Sequence, residues 1–149
     1  MASSNRGFWK VFFAFAAGSI ALVVLVIVFR PVARTGAVAF AQRNLRAAAE
    51  AAERVAEADG SLEAATALRL RADPRGSDLL FIDPDTSSND SAIVSVRATA
   101  SAWTGAARAD TGDCFWVRIE AAGGTIYGTG TDCSAEEASE AAPGAWPEP

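Results

Sequence analysis

The sequence predicts an α+β fold in which a long N-terminal helix, membrane-spanning in its first half and amphipathic in its second, packs on a small antiparallel sheet. Three observations carry that expectation. Val11 to Phe29 is an uninterrupted run of 19 apolar residues. Val38, Ala41, Leu45, Ala48, Ala52 and Val55 then recur at spacings of three and four, the period of one helix face. Further on, Cys114 to Glu120 alternates, with Phe115, Val117 and Ile119 on one side and Trp116, Arg118 and Glu120 on the other.

At 1.5 Å per residue the apolar run covers roughly 28 Å, the hydrocarbon thickness of a bilayer. Trp9 and Lys10 mark one interface, Arg30 and Pro31 the other, and Gly18 and Ser19 are small enough to let a second helix approach. Ala37-Val38-Ala39 has the small-x-small form of a signal-peptide cleavage site. The run is longer than a signal peptide needs, however, and Arg30, Pro31 and Arg34 intervene before that site, so a spanning helix is the better reading. Pro31 kinks the helix or divides it, since it lacks the N–H that would continue the ladder.

Beyond Pro31 the apolar stripe is mostly alanine, so whatever lies against it must come close. Gln42, Arg43, Arg46, Glu50, Glu53, Arg54 and Glu57 take the other faces, with Glu50 and Arg54 as an i,i+4 pair, and Gly60 is a natural stop. Ser61 is placed to cap a short helix from Leu62 to about Arg71. Leu79-Leu80-Phe81-Ile82 reads as a buried strand closed by Asp83-Pro84. Asp85 to Ser91 is a polar loop that lacks the glycine and distal glutamate of a calcium loop, and reads as a surface turn. Ile93 to Ala98 and Trp103 to Ala109 are strands. Asp110-Thr111-Gly112-Asp113 turns into the alternating strand above, and Gly123-Gly124 turns into a last strand at Thr125-Ile126-Tyr127. From Ser134 the composition of Ala, Glu, Ser and Pro predicts a solvated tail, with no partner foreseen for Trp146. The expected organisation is a cytoplasmic leader over 1–7, a transmembrane helix over 8–31, an extracytoplasmic domain over 32–133 and a disordered acidic tail over 134–149.

Charge and cysteine use narrow the function. Arg6, Lys10, Arg30, Arg34, Arg43 and Arg46 all precede the first acid, Glu50, while the whole chain has a net charge of −5. That acidity argues against nucleic acid as a primary partner, and the basic first third fits anionic lipid headgroups. Histidine is absent, which removes the usual general base and the commonest metal ligand, and two cysteines cannot build a four-ligand zinc site. No nucleophile–base pairing or glycine-rich phosphate loop stands out, so neither an enzyme nor a cofactor or metal site is expected. Cys114 and Cys133 read as a disulfide closing a loop of about twenty residues, worth ~3 kcal/mol to a domain with a small core. A disulfide requires an oxidising compartment, which puts the N-terminus in the cytoplasm and the C-terminal domain outside.

The order of parts resembles type IV pilins and the pseudopilins of type II secretion. A polar leader ends in Gly7-Phe8, followed by an apolar helix, an amphipathic continuation, a small sheet and a C-terminal disulfide. The C-terminal half is similar to actinobacterial-type pilin-like proteins through Ile93-Val94-Ser95-Val96, Trp103 with Ala106-Ala107, Gly112-Asp113-Cys114-Phe115-Trp116-Val117-Arg118, Thr125-Ile126-Tyr127-Gly128 and Cys133. The resemblance implies a structural subunit whose membrane helix doubles as the packing element of a filament. It also implies cleavage between Gly7 and Phe8 by prepilin peptidase, and partners among other pilin-like subunits and pilus or secretion assembly proteins. The family places a glutamate at the fifth mature position, where this chain has Phe12 with Lys10 close by. A minor subunit, or a pilin-like protein retained in the membrane, therefore fits better than an abundant pilin. The alternative is a single-pass tethered binding module that does not polymerise, with Tyr127, Trp103 and Trp116 as candidates to line its surface.

Overall fold

The computed structural model describes residues 34–73 and 78–146. The chain divides into two units, Met1–Thr35 and Gly36–Pro149, and the second holds the elements described below. The predicted spanning segment, the Gly7-Phe8 junction and the Gly18-Ser19 pair lie outside the described residues. Among the described residues no helix is long and apolar enough to cross a membrane.

α1 covers residues 34–59. Ala41, Leu45, Ala48, Ala52 and Val55 are at most 4% exposed and Val38 is packed beside them, so the alanine-rich stripe is the face that the helix buries. Gly60 ends it at φ 82°, a backbone region that costs glycine nothing. The predicted second helix is interrupted. Ser61 caps a single 3-10 turn at Leu62–Ala64, its hydroxyl accepting from the Glu63 N–H at 3.2 Å. Thr66 then caps α2, Ala67–Arg71, in the same way, accepting from Arg69 N–H at 3.3 Å. Two hydroxyl caps five residues apart give the backbone a second helix start, and the sequence takes both. Arg54, expected to pair with Glu50, instead reaches Asp73 at 3.8 Å beyond α2.

Five strands follow in sequential order: β1 Leu80–Ile82, β2 Ile93–Ala98, β3 Ala102–Arg108, β4 Cys114–Glu120 and β5 Thr125–Gly130. The last four form an antiparallel meander, as expected. β1 corrects the expectation of a wholly antiparallel sheet, because it runs parallel to β2, with Leu80 opposite Ile93 and Phe81 opposite Val94. Alternation reports which face a residue occupies and is blind to strand direction. Direction is set by the connection over 83–92, which is long enough to carry the chain back to the starting end of the sheet. Buried Ser88 pins it there, its hydroxyl lying 2.8 Å from Asp90 O and 2.7 Å from Ile93 O and accepting the Arg108 N–H at 3.1 Å.

The two faces of the sheet differ. Phe81, Val94, Val96, Trp103, Ala107, Phe115, Val117 and Ile119 form one cluster with the α1 stripe. On the opposite face Trp116 and Ala106 are buried beneath α3, Ala135–Glu140. α3 lies within the stretch predicted to be a disordered tail, and the correction has a local cause: buried Ser134 accepts from Glu137 N–H at 3.3 Å and caps the helix. Both tryptophans lie over glycines. A methyl on Gly105 would come within 2.7 Å of Trp103 Cη2, and one on Gly128, the cross-strand partner of Trp116, would overlap the Trp116 indole. Gly128→Ala is therefore expected to lower stability by about 1–3 kcal/mol through overpacking. At Gly130 the nearest atom to a new methyl is 3.6 Å away, and Gly130→Ala is expected to stay within ~0.5 kcal/mol of the parent in urea unfolding.

Candidate functional site

Four surfaces of the domain present chemistry: the sulfur-closed C-terminal strap, two polar grooves, and the outer side of α1. The strap begins at Cys133, which is bonded to Cys114 at the start of β4, with 5.2 Å between the Cα atoms. Its backbone is held as firmly as its sulfur. Cys133 O accepts from Ser88 N–H at 2.8 Å, Pro84 O accepts from Glu136 N–H at 2.9 Å, and Ser95 Oγ accepts from Ala135 N–H at 2.9 Å. Ser87 also bonds Asp132. Glu137 turns back to accept from Thr131 Oγ1 at 2.9 Å and Asp132 N–H at 2.6 Å.

Across the sheet, Arg97 pairs with Glu136 at 2.7 Å and donates to Ser139 Oγ at 3.1 Å, while Arg118 donates to Ser139 O at 3.1 Å. The chain then rounds the β5 edge, where Gly144 N–H donates to Tyr127 O at 3.0 Å. Trp146 arrives on the helix-bearing face. Its indole N–H lies 3.0 Å from Trp116 O and 3.1 Å from Gly128 O, its ring centroid is 4.4 Å from that of Tyr127, and Arg46 of α1 sits 5.3 Å above it. Trp146 thus has partners on β4, β5 and α1.

The aromatic trio proposed to line a binding surface does not form one. Trp103 is fully buried on the helix-bearing face and donates to Ala65 O at 3.0 Å; Trp116 is buried on the other face; Tyr127 is half-buried against Trp146. Polar grooves lie elsewhere. One, of about 640 Å³, sits at the C-terminal end of α1 and carries Glu53, Glu57 and Glu120. The other, about 290 Å³, lies on the α3 side between Arg97, Arg118, Thr104 and Ser139. Beside the first groove Asp59 accepts from Arg69 Nε at 3.0 Å, and that hydrogen bond, with the attraction between the charges, raises the guanidinium further above its ordinary range. Among the described residues no three metal-ligating side chains come together.

On α1, Phe40 is 43% exposed and Arg43 lies 4.7 Å from its ring centroid. A helix turns about 100° per residue, so Arg43 projects away from the sheet that the stripe through Ala41 and Leu45 faces, and Phe40 lies on the flank between them.

The sequence reading missed Ser88, Ser95 and Ser134, three buried serines that lock the strap, Ser88 through its backbone N–H and the other two through their hydroxyls. A signal existed for one of them, since Ser134 and Glu137 have capping-box spacing. Ser88 and Ser95 take their meaning from partners far away in the chain. No protein-family model matches the chain, nor does any curated protein or any solved structure.

Replacing both cysteines by serine is expected to cost ~3 kcal/mol, the closure entropy of a loop of about twenty residues, and to make urea unfolding insensitive to reductant. Trp146→Ala is expected to cost about 2 kcal/mol from a half-buried aromatic side chain and its hydrogen bonds. Unfolding followed by circular dichroism would measure both.

Proposed function

We propose that the chain is a membrane-anchored, pilin-like structural subunit, a minor pilin or pseudopilin, whose sheet domain faces the outside of the cell. The observation that carries this reading is the order of parts along the sequence, together with the packing of α1 on the sheet. A 19-residue apolar run leads into a helix whose alanine stripe lies on a sheet closed by a C-terminal disulfide. In the proposed subunit the apolar run is the anchor and α1 is the scaffold on which the sheet is laid. The disulfide supports an oxidising compartment for the domain. The resemblance in the β2–β5 segment supports the family, and the parallel β1 strand is a departure from the small antiparallel sheet which that resemblance implies.

Phe12, at the position where the family carries a glutamate, favours a second reading in which the helix is only a tether. In pilin-like processing, water adds across the Gly7–Phe8 peptide bond, leaving a carboxylate on Gly7 and a free amine on Phe8, and a carboxylate near that amine is what Phe12 fails to supply. The two readings part at the N-terminus. Intact mass measurement of protein purified from membranes is expected to show loss of Met1 to Gly7, and the chain is expected in the fraction sheared from cells. An intact N-terminus, with all protein retained in membranes, would favour the tether.

A further inference from the structure

We propose that the outer side of α1 around Phe40 and Arg43 docks a second copy of this chain, which meets it with the aspartate-bearing loops at the same end of its own sheet. This rests on the reading of the chain as an assembling subunit and names the contact through which copies meet.

Charge is divided along the chain rather than mixed. Residues 1–49 carry six basic side chains and no acid, whereas residues 50–149 carry seven arginines against all eighteen acids, a net of −11. On α1 the order is basic first and acidic last, the reverse of what the helix dipole favours, so local helix energetics do not account for it. The basic stretch includes a large exposed apolar group. Among the described residues Phe40, Leu68 and Leu80 are the large apolar side chains left exposed, and Phe40 is the aromatic one, with the Arg43 guanidinium stacked above it. An arginine on an exposed aromatic ring, on the side of the helix that the buried stripe leaves free, forms a face that is both apolar and cationic.

The complementary surface lies at the same height on the domain. Asn44 Nδ2 donates to Ser91 O at 2.8 Å, so the 83–92 connection stands beside the helix turn that carries Arg43. Ser88 N–H to Cys133 O, and Arg108 N–H to Ser88 Oγ, bring the 109–113 turn and the start of the strap to that end as well. The 83–92 and 109–113 segments hold Asp83, Asp85, Asp90, Asp110 and Asp113, and Asp132 stands just before the strap, all exposed, with Arg108 as the cation among them. Two copies standing side by side in one orientation therefore bring Arg43 of one level with the aspartates of the other, without sliding along the helix axis. A contact between two different patches of one chain is heterologous, and it propagates from copy to copy instead of closing into a two-fold dimer. The same aspartates would repel an anionic lipid surface from this end of the domain, which favours a second copy over headgroups as the occupant.

Lysine occurs once in the chain, at Lys10, so Arg43→Lys keeps the charge and installs a single side-chain amine on the domain. Full-length R43K chains, half of them heavy-isotope labelled, would be reconstituted in phosphatidylcholine vesicles and treated with a carbodiimide. The reagent condenses a carboxylate with an amine to an amide and takes up the water as a urea. The expected products are mixed light–heavy peptides linking the amine introduced at position 43 to the 83–92 or 109–113 segments. Their yield is expected to fall several-fold when salt rises from about 20 mM to about 500 mM, and to hold when phosphatidylglycerol is added. Self-association detected by energy transfer between labelled chains, without links from position 43 to an aspartate, would overturn this contact and leave the assembly reading standing. Chains that show no energy transfer at all would overturn both. Links lost on adding phosphatidylglycerol would assign the face to lipid and overturn the proposal.

Discussion

The close approach of α1 to the sheet is the constraint from which most of the domain follows. Alanines at 41, 48 and 52 remove bulk from the helix side, and the space they leave is filled from the sheet by Trp103, Phe81 and Phe115. Small against large at facing positions is how a thin two-layer core reaches full density. The arrangement then makes demands of its own. A buried indole must satisfy its N–H, and Trp103 does so on Ala65 O, which fixes the chain just after the 3-10 turn where it leaves α1. The same ring lies flat along β3 because the next inward position is Gly105. One packing choice thus sets the helix composition, the exit from the helix and a glycine two residues further along the strand.

The other face is organised by polar closure rather than by apolar volume. α3 is only six residues long and presents Ala135 and Ala138 to the sheet, too little apolar area to hold itself in place. It is kept there by its covalent tie through Cys133, by Ser95 receiving its first N–H, and by Arg97 and Arg118 reaching across to Glu136 and Ser139. Arg118 also lies 5.5 Å from the Trp116 ring, so the buried indole on this face is roofed by a cation as well as by the helix.

What can be read from the sequence follows the range of the interactions involved. The stripe on α1 and the alternation in β4 are local periodicities, and they place Leu45, Val55, Phe115, Val117 and Ile119 on the buried side. The cysteine pair is legible because only one intrachain pairing exists. Strand direction is not legible, since Leu80 and Phe81 alternate in the same way whether β1 runs with β2 or against it. The strap is obscured by composition: acidic, alanine-rich sequence reads as solvated, and the groups that order it, Ser88, Ser95 and Tyr127, come from distant parts of the chain. Alternation puts Trp116 on the side away from Phe115, yet whether that side is covered depends on the strap. The processing and membrane-helix residues, Gly7, Phe8, Gly18 and Ser19, stand as sequence expectations outside the described structure.

A backbone acceptor on each margin of the sheet is taken by the chain itself. Along β5 the returning chain takes the Tyr127 carbonyl through Gly144, and along β1 the Arg71 side chain takes the Phe81 carbonyl at 2.6 Å. Free margins are where β proteins recruit further strands and run on into continuous cross-chain sheets. This domain spends its own backbone and an arginine on those positions. A strand added at either margin would first have to displace these contacts, and along β5 that means lifting away the segment that carries Gly144 and Trp146.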